Sequence, residues 1–241
     1  RRSYEDGDFI QKYGPGTWTW DFDYIVENKK LLQGLVSLVT EVDDTTAAAT
    51  LNPTQVNANR DYSHGLDSDF TAQIVLEAGT VGTGLDSDDQ CLHSAVLQNL
   101  TLALDAGTDG GRLHTSGQFM SGYSPIISNS GITGATTASD YEKSIFDFTT
   151  VTVGGHPVTC KAFSMTITNP ATRIGYQQTT GQADGYVRGG LFDVSGTVTV
   201  KYDATMADAL GDWTANPSTG YALALNDGSN WDISIPSARM T

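Results

Sequence analysis

Two octapeptides far apart in the chain share one order of apolar and polar positions: GTWTWDFD at residues 16–23 and GTVTVKYD at residues 196–203. Side chains alternate along extended backbone, so the first predicts a strand with Trp18, Trp20 and Phe22 on one face and Thr17, Thr19, Asp21 and Asp23 on the other. The second sorts Val198, Val200 and Tyr202 from Thr197, Thr199, Lys201 and Asp203 in the same way. Each strand therefore has one face for a core and one for water or a polar partner. After each octapeptide the hydrophobic period lengthens. Leu31, Leu32, Leu35 and Val39 form one helical stripe, and Met206, Leu210 and Trp213 form another. Asp203 or Thr205 can cap the second helix, and Gly211 is expected to weaken its last turn. The repeated unit is a strand followed by a short helix.

A second matched pair supports duplication: LTLALD (Leu100 to Asp105) and FSMTIT (Phe163 to Thr168) both alternate large apolar with small or polar residues. Between the halves, Gly122 to Ser144 is rich in Gly, Ser and Thr and reads as a connector. The expected organisation is a first β unit over 1–121, a connector over 122–144 and a second β unit over 145–241. Within the second unit, Asn169 to Gly190 is too long for a tight hairpin turn. Its Arg173, Tyr176, Tyr186 and Arg188, set among glycines, predict an extended arm suited to docking on another protein. Near the end, GYALALNDGSNWDISIP predicts a hairpin, with Leu223 and Leu225 alternating before the NDGSN turn. Trp231, Ile233 and Ile235 alternate back, and Pro236 is expected to stop the pairing.

Composition narrows the class. The 241 residues are 39% hydrophobic, enough for one sizeable domain or two small ones, and the 26 glycines between short alternating runs indicate an all-β fold with short flanking helices. The net charge of -15 argues against a surface built to grip nucleic acid, but not against one that nucleic acid must pass without sticking. Cys91 and Cys160 have neither metal-ligand spacing nor the density of a disulfide scaffold, and both are expected buried and reduced. No apolar run is long enough to span a bilayer and no secretory-signal pattern opens the chain; the expectation is a soluble, cytoplasmically made protein.

Catalytic patterns are missing from the sequence: it contains no GxSxG elbow, HExxH motif, P-loop or dinucleotide fingerprint. His64, His93, His114 and His156 are scattered, and none has a second ligand at helical spacing. Asp86, Asp88 and Asp89 lack the glycine and distal glutamate of an EF-hand loop and read as a solvated turn. The aromatic face of Trp18, Trp20 and Phe22 could be a sugar platform. Core packing accounts for it better, because the matching positions are Val198, Val200 and Tyr202. No catalytic, cofactor or metal residue is singled out, and the expectation is a protein that is not an enzyme and carries no cofactor.

An FSMTITN strand, a long arm, an FDVSGTVTVKYD strand, a short helix and a closing YALALNDGSNWDISIP hairpin follow one another. In that order they resemble the C-terminal half of the major tail tube proteins of long-tailed, siphovirus-like bacteriophages. The resemblance covers about Val158 to Pro236, and a weaker echo reaches back to Gly16. The first half departs from it, since no strand equivalent to Phe163–Thr168 precedes Gly16: either the chain starts inside the motif or Leu100–Asp105 supplies that strand. The resemblance implies a β-sandwich or half-barrel flanked by a helix, a subunit of rings, usually of six, stacked into a tube for genome passage. A duplicated module would equally allow trimeric rings with pseudo-sixfold symmetry. The implied partners are copies of the chain itself, other tail proteins at the tube ends, and double-stranded DNA passing without specific binding. No membrane is among them. The implied location is the virion tail, after assembly in the host cytoplasm. On this reading Asp21, Asp23, Thr197, Thr199 and Asp203 face the lumen, and Arg173, Tyr176, Tyr186 and Arg188 make contacts between subunits or rings. The competing readings are a β-sandwich module that binds glycans or a cell surface and, less favoured, a β-rich hydrolase.

Overall fold

A computed structural model describes residues 17–26, 29–40, 72–76, 90–122, 126–127, 142–175, 183, 185–215, 220–229 and 231–239. It is mostly β-strand in antiparallel sheets, with two short α-helices among the described residues. The main sheet runs in the order β1 (Trp18–Ile25), β4 (His114–Ser121), β3 (Gln90–Asp105), β8 (Cys160–Thr168), β11 (Asp193–Val200). Off this path, β2 (Ala72–Leu76) and β5 (Ile126–Ile127) pair with the first residues of β3. A second sheet has the order β13 (Asp232–Ala238), β12 (Tyr221–Asn226), β6 (Thr150–Val153), β7 (His156–Pro157). A two-stranded hairpin joins β9 (Ala171–Ile174) to β10 (Gly185–Arg188).

The strand-then-helix unit occurs twice, as β1 followed by α1 (Lys29–Thr40) and as β11 followed by α2 (Ala204–Ala215). The two octapeptide strands stand at opposite edges of one sheet. Between them, LTLALD and FSMTIT lie side by side, with Leu100 opposite Ile167, Leu102 opposite Met165 and Leu104 opposite Phe163. All six are at most 3% exposed, and full burial of such side chains contributes about 1.5–3 kcal/mol each. The sheet is thus continuous across the two halves. The neighbour of β1 is not Leu100–Asp105, the strand offered for that place. It is β4, whose HTSGQFMS lacks a hydrophobic alternation of its own and is held by strands on both sides.

One face of the main sheet is dry. Leu32, Leu35 and Val39 of α1 pack on it, together with Val151, Leu225 and Trp231 from the second sheet and its turn. Gly117 and Gly196 belong to this face for a steric reason: a Cβ at Gly117 would collide with the Asn99 carbonyl and the Phe22 ring, and one at Gly196 with the Ser164 carbonyl. Phe22 lies over Gly117 and packs beside Phe119, with ring centroids 5.4 Å apart.

Three expectations are corrected. Tyr202 does not continue the apolar face of β11, because the strand ends at Val200 and the ring is 72% exposed. The chain turns there to start α2, and the Asp203 carboxylate accepts the Met206 N–H at 3.2 Å. Gly211 does not fray α2, which continues to Ala215. Pro236 does not end the hairpin either: β13 reaches Ala238 opposite Tyr221, past a register shift, and an outer strand tolerates a proline whose nitrogen is not needed for the ladder. Since Asp203 satisfies one of the free N–H groups of α2, Asp203→Ala is expected to cost about 1 kcal/mol and Asp203→Asn much less. Urea unfolding of the two variants checks this.

Candidate functional site: a polar sheet face with open edges

Reading the register across the main sheet assembles its second face. One row runs Asp21, Gln118, Asn99, Thr168, Asp193, and the next runs Asp23, Ser116, Thr101, Thr166, Ser195. A third runs Ile25, His114, Ala103, Ser164, Thr197, and a shorter one runs Asp105, Ala162, Thr199. None of these positions is lysine or arginine. Carboxylates stand on both edge strands, Asp21 and Asp23 on β1 and Asp193 on β11, all exposed. The rows are tied internally: the Gln118 amide donates to Asp21 Oδ1 at 2.7 Å, and the Thr101 and Thr166 hydroxyls are 3.0 Å apart.

Asp21, Asp23, Thr197 and Thr199 therefore share one face, although they come from strands at opposite edges. Asp203 follows β11 and is engaged as the α2 cap. Gln118, Ser116, Asn99, Thr101, Thr166, Thr168, Ser195 and Asp193 complete the face, and sequence reasoning had not singled them out. The polar positions of LTLALD and FSMTIT carried part of that signal; β4 carried none, because its partners decide its faces.

At one end, the polar face gives way to an apolar patch. Val96 and Met120, paired on the side opposite Leu97 and Phe119, are covered by Ala171 and Tyr186 of the β9–β10 hairpin. Tyr186 is 0% exposed, and its hydroxyl accepts the Gly122 N–H at 2.8 Å. Burial pushes the Tyr186 hydroxyl pKa up, an effect partly offset by that hydrogen bond. The Gln98 amide donates to the Ala171 carbonyl at 2.9 Å. The arm is thus rooted on its own sheet, and Tyr186 is an anchor within the chain, which corrects its expected place at a partner contact. Arg188 donates from Nε to Asn169 Oδ1 at 3.3 Å, with its guanidinium 5.6 Å from the Phe192 ring centre. Arg173 lies half-buried in β9, close to Gly122. Tyr176 lies outside the described residues.

The remaining candidates for chemistry are dispersed. His114 Nε2 is 3.0 Å from Asp109 Oδ2, and His156 Nε2 is 2.8 Å from Asp212 Oδ2, tying β7 to α2. Cys160 is a half-buried free thiol whose pKa burial pushes up. His64, Asp86, Asp88 and Asp89 lie outside the described residues, as do the side chains of Cys91 and His93. Among the described residues no cluster of His, Cys, Asp or Glu could hold a metal ion, and no helix is long and apolar enough to cross a membrane.

Tyr24 gives the dry face a pH dependence. Its hydroxyl is buried without a hydrogen-bond partner among the described residues, and burial pushes its pKa from 10.0 to about 12. Between those values the unfolded chain has released the proton and the folded chain still holds it, so stability falls as pH rises. Tyr24→Phe is expected to remove this contribution: the variant gains on the wild type between pH 9 and pH 11.5, as read by urea midpoints. An unchanged difference would place the hydroxyl in water.

No protein-family model matches the chain, and no curated protein matches it.

Proposed function

We propose that this chain is a structural subunit that assembles with copies of itself into stacked rings, forming a tail tube of the long-tailed phage type through which double-stranded DNA passes. A virion role of this kind is structural and needs no cofactor. The observation that carries the reading is the polar face of the main sheet, three of whose rows cross all five strands from edge to edge without a lysine or arginine. A duplex binds a basic wall tightly, because each neutralised phosphate releases counterions, and such binding would stall its movement. A wall of Thr, Ser, Asn, Gln and Asp offers no such trap. In this arrangement Asp21, Asp23, Thr197 and Thr199 line the bore, and the dry face keeps its β-sandwich-like cover of helix and second sheet. Rings of six, or of three with pseudo-sixfold symmetry, follow from one repeated head-to-tail contact. On this reading the arm over Asn169–Gly190, whose β9–β10 pair packs on Val96 and Met120, makes the contact with the next ring.

Negative-stain microscopy of the purified full chain is the test, with rings or tubes as the expected result. Persistent monomers that bind on a glycan array would replace this reading with surface recognition.

A further inference from the structure

We infer that the two outer strands of the main sheet are mates: β11 of one copy pairs with β1 of the next, parallel, with Thr197–Lys201 alongside Thr17–Asp21. This rests on the assembly reading above and specifies its contact. The first observation is exposure. In the paired segment Thr197, Thr199 and Lys201 are exposed while Val198 and Val200 are half-buried, and the preceding Asp193–Gly196 is exposed on both faces, including Val194 at 39% on the nominally dry side. Flanking it, Leu191 is 90% exposed and Tyr202 72%. Among the described residues no strand pairs with the outer side of β11 or of β1. An unpaired strand bordered by exposed apolar groups is a template for strand addition.

Direction selects the partner strand. Every neighbouring pair along β1, β4, β3, β8, β11 is antiparallel, so β1 and β11 point the same way. A head-to-tail copy brings the two together in parallel and uses both edges, whereas a twofold contact pairs an edge with itself. Faces then select the register. Alignment of the octapeptides puts Trp18 and Trp20 beside Val198 and Val200 on the dry side, and Thr17 and Thr19 beside Thr197 and Thr199 on the wet side. A slip of one residue would turn the tryptophans toward the wet face. Charge agrees with this choice: Lys201 falls beside Asp21, while self-pairing of β1 would crowd Asp21 and Asp23 against their own copies. The repeat recurs at opposite edges because each copy supplies one half of the joint.

Neighbouring strands lie about 4.8 Å apart, inside the roughly 4.4–6.8 Å Cα range that a disulfide spans. Thr19 and Thr199 are both exposed, so cysteine there disturbs no packing. With the native Cys91 and Cys160 replaced by serine in every variant, oxidation of the full-length double variant Thr19→Cys/Thr199→Cys is expected to give a ladder of covalent multimers on a non-reducing gel. The wild type and either single variant should give none. Lys201→Glu in the double-cysteine background should weaken the ladder several-fold, and adding Asp21→Lys should restore it. Dimers from either single variant would mean self-pairing across a twofold and overturn the inference. Monomers from the double variant, where microscopy still finds rings, overturn the pairing and leave the tube reading standing. Monomers by both measurements overturn both.

Discussion

Asp227→Ala is expected to lose about 3–5 kcal/mol of folding stability, as breaking one half of a buried ion pair does. The Asp227 side chain is 3% exposed, and its Oδ2 lies 2.8 Å from Nζ of Lys143, itself only 20% exposed. Its Oδ1 accepts the N–H groups of Ser229 at 2.8 Å and Trp231 at 2.9 Å, closing the β12–β13 turn. The same Lys143 accepts the Leu113 N–H on its carbonyl, at 2.7 Å, so the pair connects the second sheet to the segment entering β4. Alanine would leave the ammonium of the half-buried Lys143 without this carboxylate and open the turn that seats Trp231 in the core. Asp227→Asn keeps an oxygen for the turn and loses only the charge, so it should fall between wild type and alanine. Added salt should change the difference little, because a buried pair is poorly screened. Urea unfolding of the three proteins checks the order. An alanine variant within about 1 kcal/mol of wild type, the usual size for an exposed pair, would mean that solvent already screens the interaction.

Tyr186→Ala is expected to cost about 3–5 kcal/mol, the range for deleting a buried aromatic ring. The ring fills the space between Val96, Met120 and Ala171, a small cluster separate from the main core among the described residues. Losing it should release the β9–β10 hairpin from the sheet before the main core yields. The variant should therefore show early cleavage within 169–190 in limited proteolysis, together with a lowered unfolding midpoint. Tyr186→Phe loses the hydroxyl that accepts from Gly122 and bonds the Ser121 side chain, and leaving the buried Gly122 N–H unpaired costs about 1–3 kcal/mol. If alanine and phenylalanine prove equivalent, the hydrogen bond holds the arm and the packing does not.

Several elements were legible from local pattern alone. Trp18, Trp20 and Phe22 turn inward while Thr19, Asp21 and Asp23 remain exposed, and Leu32, Leu35 and Val39 bury one stripe of α1. Residues i and i+2 of a strand, or i and i+4 of a helix, share a face whatever lies opposite. The first part of β3 was harder to read. It runs 16 residues from Gln90, and a bulge between Leu97 and Asn99 breaks the alternation on which its recognition depends.

The sequence by itself determined which side of each octapeptide strand is wet up to Val200, where the two helices form, and a net charge of -15; these depend on residues a few positions apart and on composition. Only the tertiary structure decided that the octapeptides take opposite edges of one sheet, that β4 separates β1 from β3, and that Tyr186 turns back onto its own chain. Strand order and register come from long-range pairing, where many partners satisfy the same backbone groups and the choice falls to packing across the whole sheet. The polar face spans five strands because that packing placed every Thr, Ser and Asp row in step.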